Sequence, residues 1–174
     1  SICQGFKGFK DWGMFPYVAE QLSEVLDVIT FNFSHNGVGD DLTEFTELDK
    51  FAKNTYSREL EDLDYLVQSI QAGTFLVEQN VSASPLFLLG HSRGGGISLV
   101  YAFDYPNRIT GVIAWNGAVD LGGILSDEMR REMRHHGRTI TINARTNQEM
   151  PLDVEILDDL ERNESRFNLV QRAQ

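Results

Sequence analysis

The chain has 174 residues, 41 % of them hydrophobic and 24 % charged, the size and usage of one globular domain with a core of its own, which excludes a disordered or collagen-like chain. Its formal charge is −11, from 26 acidic residues against 15 Lys and Arg, so neither nucleic acid nor an anionic membrane surface is an expected partner. No run approaches the roughly 18 apolar residues of a membrane span, no basic segment leads into an apolar stretch at the start, and the single Cys3 permits no internal disulfide and suits a reducing compartment; a cytoplasmic protein is the expectation.

Residues 1–4 read as the end of a strand, and residues 5–13, with three glycines and two lysines, as a loop in which Lys7 and Lys10 face solvent. Phe15, Val18, Ala19, Leu22, Val25 and Leu26 recur at helical spacing behind Pro16, which tolerates a first helical turn. Residues 28–33 are β-branched and aromatic and predict a strand; residues 34–41 are turn-rich. Tyr56, Leu60, Leu63, Val67 and Ile70 mark one face of a second amphipathic helix that stops near Gly73. The acids gather at 40–64 and 153–164 and read as solvated faces and loops.

Residues 85–89 form an apolar run without alternation, the pattern of a parallel strand covered on both faces. Residues 90–96 are a glycine-dense turn, 97–103 a buried helix, and 109–115 another buried strand. Ser126 predicts a helix cap, with Asp127 and Glu128 in the first turn and Arg134, His135 and His136 at the end, both placements suiting the helix dipole; Gly137 is its stop. Residues 139–143 look extended and 152–160 helical. Strand and helix alternate, which predicts an α/β fold with a mostly parallel sheet and flanking helices. Asn-x-Ser occurs at Asn32, Asn80 and Asn163, which carries weight only in a secreted protein.

The chemistry centres on Gly90-His91-Ser92-Arg93-Gly94, a G-x-S-x-G pattern between a buried strand and a buried helix. A serine on so sharp a turn takes a strained backbone, and its neighbours two residues away must be nearly free of side chain. The turn lifts Ser92 out of the sheet at a helix N-terminus, where free N–H groups favour developing negative charge. One oxyanion donor is expected from the residue after the nucleophile, Arg93, and the second from a loop after an earlier strand, where Phe6 of Gln4-Gly5-Phe6 is the candidate. The competing reading of both segments is an ordinary glycine-rich turn.

These residues, with the order of elements, resemble the α/β-hydrolase superfamily, and within it the small esterases and acyl hydrolases that include bacterial feruloyl esterases. The resemblance implies Ser92 as nucleophile, the amides of Phe6 and Arg93 as oxyanion donors, and His91 as the variable elbow residue rather than the general base. It implies no cofactor or metal and a small-molecule ester as substrate. Two departures stand out. Gln4 replaces the histidine that usually opens the loop, and the late acid and histidine of the family order Ser, acid, His are not evident. The chain is therefore expected to be a partial hydrolase fold: a core over 1–120, a cap-like insertion over 121–160 and the start of further core over 161–174. Self-association through exposed sheet edges is a corollary.

Asp120 follows the strand ending near Trp115 and is the candidate acid, or else a capping aspartate. His35 sits in a loop after a strand and is a candidate for the pocket or a turn. His135 and His136 are adjacent, a poor metal pair beside the i, i+4 arrangement. No P-loop or dinucleotide fingerprint is present. The alternative to an esterase is a binding module of the same fold without turnover.

Overall fold

The computed structural model describes residues 1–75 and 84–174. Three parallel strands, β1 (Ile2–Cys3), β2 (Phe87–His91) and β3 (Gly111–Trp115), lie in that order, with Cys3 opposite Gly90 and Gly90 opposite Ala114. Two parallel neighbours place β2 at the centre, and its C-terminal end carries the serine.

The helices follow from the apolar spacing. α1 (Phe15–Ser23) starts with Pro16 in its first turn; α2 (Leu48–Ala52) is short; α3 (Tyr56–Gln71) is capped by Thr55, whose side chain accepts from Arg58 N. α4 (Arg93–Asp104) packs on all three strands, and α3 packs on α4. Leu88 of β2, Ile97, Val100 and Tyr101 of α4, and Leu63 and Val67 of α3 are fully buried in this layer. Full burial of one such side chain stabilises by about 1.5–3 kcal/mol.

Several expectations are corrected. Residues 28–33 form no strand: Thr30 makes a single bridge with Ile2, and Ile2 N donates to Ile29 O. The two-residue β1 is too short to template a longer ladder. The apolar face of α1 is not buried as a face. Only Phe15 is, while Val25 and Leu26 lie beyond the helix and are exposed, because α1 has little to pack against. Nor is the 85–89 run covered on both faces or the 109–115 strand buried: Phe87 is 49 %, Ile113 57 % and Trp115 45 % exposed. β3 is an edge among the described strands, and the helical layer shields one side only. Lys7, expected in solvent, is half-buried and hydrogen-bonded, whereas Lys10 pairs with Asp11 near the surface.

After a 3-10 turn (Leu121–Ile124), α5 (Asp127–His136) begins where Ser126 Oγ accepts from Met129 N and ends at Gly137, φ 78°, as its sequence requires. Residues 139–143 are part of something larger. β4 (Arg138–Ile142) and β5 (Glu149–Asp153) form an antiparallel hairpin in register Ile140 to Pro151. α6 (Val154–Arg162) follows β5 directly and so starts two residues later than expected, and α7 (Glu164–Phe167) and α8 (Leu169–Arg172) finish the chain. α2 lies against β5 and α5 against β4. Met133, Met150 and Leu152 join Leu88 and Ile97 in one continuous core. Ser57 at the start of α3 donates to Asp159 of α6, whose other oxygen accepts from Ser57 N.

Of the three Asn-x-Ser positions, Asn80 lies outside the described residues. Asn32 Oδ1 accepts from Lys10 N and Asn163 Nδ2 donates to Asp159 O. Among the described residues no helix is long and apolar enough to cross a membrane, and no group of three His, Cys, Asp or Glu could hold a metal.

Cys3 is fully buried between β2 and α4, and burial pushes its thiol up to about 11. The stability conferred by holding it neutral is complete below the ordinary thiol range and is lost as pH climbs toward that value. The native protein is therefore expected to leave Cys3 unreacted with a thiol reagent at pH 8 and the urea-unfolded chain to take up one equivalent. Native-state labelling at the rate of a free thiol would contradict this burial.

Candidate active site

Ser92 alone makes the turn between β2 and α4. Its backbone is left-handed, φ 52° and ψ −119°, a conformation that costs a residue with a side chain about 1–3 kcal/mol. The main chain on either side holds it there. Ser92 N donates to Trp115 O at 3.0 Å, while Ser92 O accepts from Ala118 N at 2.8 Å and from Gly95 N at 3.0 Å. The loop leaving β3 thus grips the elbow from the neighbouring strand.

Each glycine of the motif answers a separate collision. A Cβ on Gly90 would strike the Gly94 carbonyl and lie 2.6 Å from Gly95 Cα; one on Gly94 would strike Cys3 O and lie 2.5 Å from Gln4 O. Gly90 lets the strand turn under its own helix, and Gly94 lets the first turn of α4 rest on the end of β1. Gly5 comes equally close, since its Cβ would be 3.1 Å from Ser92 Cβ and 3.2 Å from His91 O. The loop carrying Phe6 therefore passes directly against the serine.

The N–H groups of Phe6 and Arg93 have no acceptor among the described residues. For Arg93 this follows from its place at the helix start, where the first N–H groups lack intrahelical partners. Phe6 follows the glycine that abuts Ser92. Two unengaged amides beside one serine are what a developing oxyanion requires. Gln4, at the position usually held by histidine, is buried and donates through Nε2 to Ile2 O at 3.3 Å, so it braces its own loop.

The side chain of Arg93 turns away from the serine into the core. Its Nε donates to Glu59 at 3.1 Å, a second nitrogen donates to Asn54 O, and the guanidinium lies 4.0 Å from the Tyr56 ring centroid. Both members of the pair are buried. Burial pushes the Glu59 carboxyl up, and Arg93 with the hydrogen bond from Asn54 opposes it. Desolvation is the largest single influence on the guanidinium and opposes its charge, but the attractions of Glu59, Tyr56 and Asp159 together with the hydrogen bond to Glu59 leave it raised. Glu59 was missed in the sequence, although it stands four residues before Leu63, in line with the apolar face.

Ser92 opens into a cleft of about 240 Å³ lined by Phe6, Trp12, Phe15, Asn143 and Arg145 among others. His91 also lines it, its ring edge-on to Phe15 at 5.9 Å and Trp115 at 6.2 Å. Asn143 and Arg145 come from the tip of the β4–β5 hairpin, which no spacing in the sequence placed at the serine.

The other candidates lie elsewhere. Asp120 accepts from Gly122 N at 3.0 Å and caps the 3-10 turn. His35 Nδ1 is hydrogen-bonded to Ser34 Oγ at 2.8 Å, and its imidazole is lowered by burial and then by Arg58. His135 and His136 stack edge-on at the exposed end of α5. Ser92 Oγ has no hydrogen-bonded base among the described residues.

A strained serine on a strand-to-helix turn, two amides beside it and a parallel sheet beneath define an α/β-hydrolase elbow. Residues 25–164 match the family described as serine aminopeptidase, S33, and the chain belongs to that family of the α/β-hydrolase superfamily. It is 30 % identical over 112 residues to a monoglyceride lipase homolog of Monkeypox virus, an overlap of 64 % of this chain and 36 % of that protein. The fold is similar to that of the metagenome-derived lipolytic enzymes LipS and LipT, with TM-score 0.64, 16 % identity, 99 % of this chain and 66 % of theirs. It is also similar to Paleococcus ferrophilus monoacylglycerol lipase, with TM-score 0.62, 15 % identity, 95 % of this chain and 66 % of that one. The chain thus spans about a third of the length of the viral relative. These matches do not carry the finer resemblance to feruloyl esterases.

Two variants probe the elbow. Gly94→Val is expected to destabilise the fold and abolish the turn, because the new side chain meets two carbonyls of β1 and its loop; wild-type melting would contradict the collision. Glu59→Gln leaves Arg93 as an uncompensated buried charge and is expected to lower unfolding free energy by about 3–5 kcal/mol, read from urea titration followed by circular dichroism.

Proposed function

We propose that the protein is a serine hydrolase that cleaves carboxylic esters through an acyl-enzyme, with Ser92 as nucleophile. The observation that carries this reading is the left-handed backbone of Ser92 between β2 and α4, beside the unengaged amides of Phe6 and Arg93. Ser92 Oγ attacks the ester carbonyl as its proton passes to a histidine base. The tetrahedral oxyanion accepts hydrogen bonds from the two amides, with one such donor contributing about 2.7–4 kcal/mol. The alcohol leaves with the proton, and water then releases the acid by the reverse sequence. None of these steps calls for a cofactor.

The base and its acid are assigned neither to His35, His135, His136 and Asp120, which are held elsewhere, nor to His91, whose ring packs edge-on to Phe15 and Trp115. The aromatic lining from Phe6, Trp12 and Phe15 suits an apolar acyl chain. The names of the viral and archaeal relatives make an acylglycerol the first substrate to try.

Fluorophosphonate labelling and p-nitrophenyl acetate turnover by the intact protein test the reading. Ser92→Ala is expected to abolish labelling and to lower turnover by on the order of 10⁴-fold or more. A folded protein that neither labels at Ser92 nor turns over ester is the binding module instead.

A further inference from the structure

Around Ser92 the sign of the charge is the reverse of the chain's. The protein carries −11 overall, yet among the described residues no Asp or Glu lines the cleft, and its two charged side chains are Lys7 and Arg145. Neither cation has a carboxylate within ion-pair distance among the described residues, whereas Arg93, Arg108, Arg134 and Arg138 all do. They are held by neutral acceptors. Lys7 Nζ donates to Thr141 Oγ1 at 2.9 Å and to Ile142 O at 2.6 Å. Arg145 donates to Lys7 O at 2.6 Å, and its guanidinium lies 4.1 Å from the Trp12 ring centroid. Glu44, which lines the adjoining cavity together with Arg145, forms no ion pair with it.

Two cations held close together without an acid repel each other. The Lys7 ammonium is depressed first by burial and then by Arg145, and burial depresses Arg145 too. Carbonyls and a hydroxyl satisfy only part of the donors of an ammonium and a guanidinium. Both side chains line the cleft that also holds Ser92. A chain with 26 acidic residues has no shortage of carboxylates with which to neutralise such a pair, and none among the described residues forms an ion pair with either.

We propose that Lys7 and Arg145 form an anion subsite beside Ser92, so that the preferred ester carries a second group that is anionic, a carboxylate or a phosphate. This rests on the reading of Ser92 as an ester hydrolase and narrows its substrate. A guanidinium and an ammonium offer charge-assisted hydrogen bonds that a neutral acylglycerol cannot accept to the same advantage. The local positive field also draws an anionic substrate to a protein whose overall charge repels it.

The test compares kcat/KM of the intact protein for the p-nitrophenyl hemiester of glutaric acid with that for neutral p-nitrophenyl valerate. The ratio is expected to favour the hemiester, to fall about tenfold in Arg145→Gln and in Lys7→Gln, and to shrink as salt rises. A ratio near one, or variants that slow both esters equally, overturns the subsite and leaves the two cations as braces of the hairpin. Binding to Ser92→Ala, followed by tryptophan fluorescence because Arg145 stacks on Trp12, reads the same point without turnover. Saturable quenching by glutarate or by inorganic phosphate that is lost in Arg145→Gln supports the subsite and says which anion it takes; no quenching by either overturns it. Failure of Ser92 to label, with anion binding intact, removes the hydrolase reading and keeps the subsite.

Discussion

The cleft depends on a backbone strain that main-chain hydrogen bonds hold in place. Ser92 would relax out of its left-handed conformation if it stood at the end of an isolated strand. It stays because Trp115, the last residue of β3, and Ala118, on the loop that follows, bond to its N–H and carbonyl. Those bonds exist only because β2 and β3 pair in parallel with Gly90 opposite Ala114, which brings both strand ends to the same edge of the sheet. A slip of one residue would remove the grip. Register, strain and the exposure of the serine are therefore one constraint.

Below the elbow a second constraint operates in the low-dielectric interior. Arg93, whose backbone N–H is unengaged among the described residues, sends its guanidinium to a buried pair with Glu59. The pair ties the first turn of α4 to α3, with Tyr56 stacked on the guanidinium. A buried ion pair adds little net stability compared with apolar packing, but breaking one side of it is expensive. Its effect here is positional: the residue after Ser92 cannot turn without stranding a charge.

Above the elbow the β4–β5 hairpin closes the cleft from a distant part of the chain. Its tip contributes Asn143 and Arg145, and Lys7 reaches across to Thr141 and the Ile142 carbonyl. The loop that carries Phe6 is thereby fixed between elbow and hairpin. The hairpin is no loose flap, since Met150 and Leu152 are buried in the same core as β2. The cleft beside Ser92 is thus lined partly by residues far from it in sequence.

Local steric rules made much of this legible in advance. G-x-S-x-G between an apolar run and an apolar helix has few other uses, because Gly90 and Gly94 are required by contacts within a few residues or with the adjoining strand. Ser126 and Gly137 marked α5 for equally local reasons: a hydroxyl caps, and a glycine accepts positive φ. The fold class followed from alternation alone. What failed depended on partners. Residues 28–33 have strand-forming side chains, yet they meet the short β1 only through the Thr30–Ile2 bridge, and Ile113 and Trp115 look like core but face solvent at an edge. Asp120, His35, His135 and His136 had the right chemistry for a triad, and tertiary packing directs each to a cap, a turn or a helix end. Glu59 under Arg93 and the meeting of Lys7 with Arg145 join residues 34 and 138 positions apart. The amino-acid sequence by itself determined where the sharp serine turn had to be, because the glycines that permit it stand within two residues of Ser92; only the tertiary structure decided which charges surround it, because long-range contacts leave no periodicity to read.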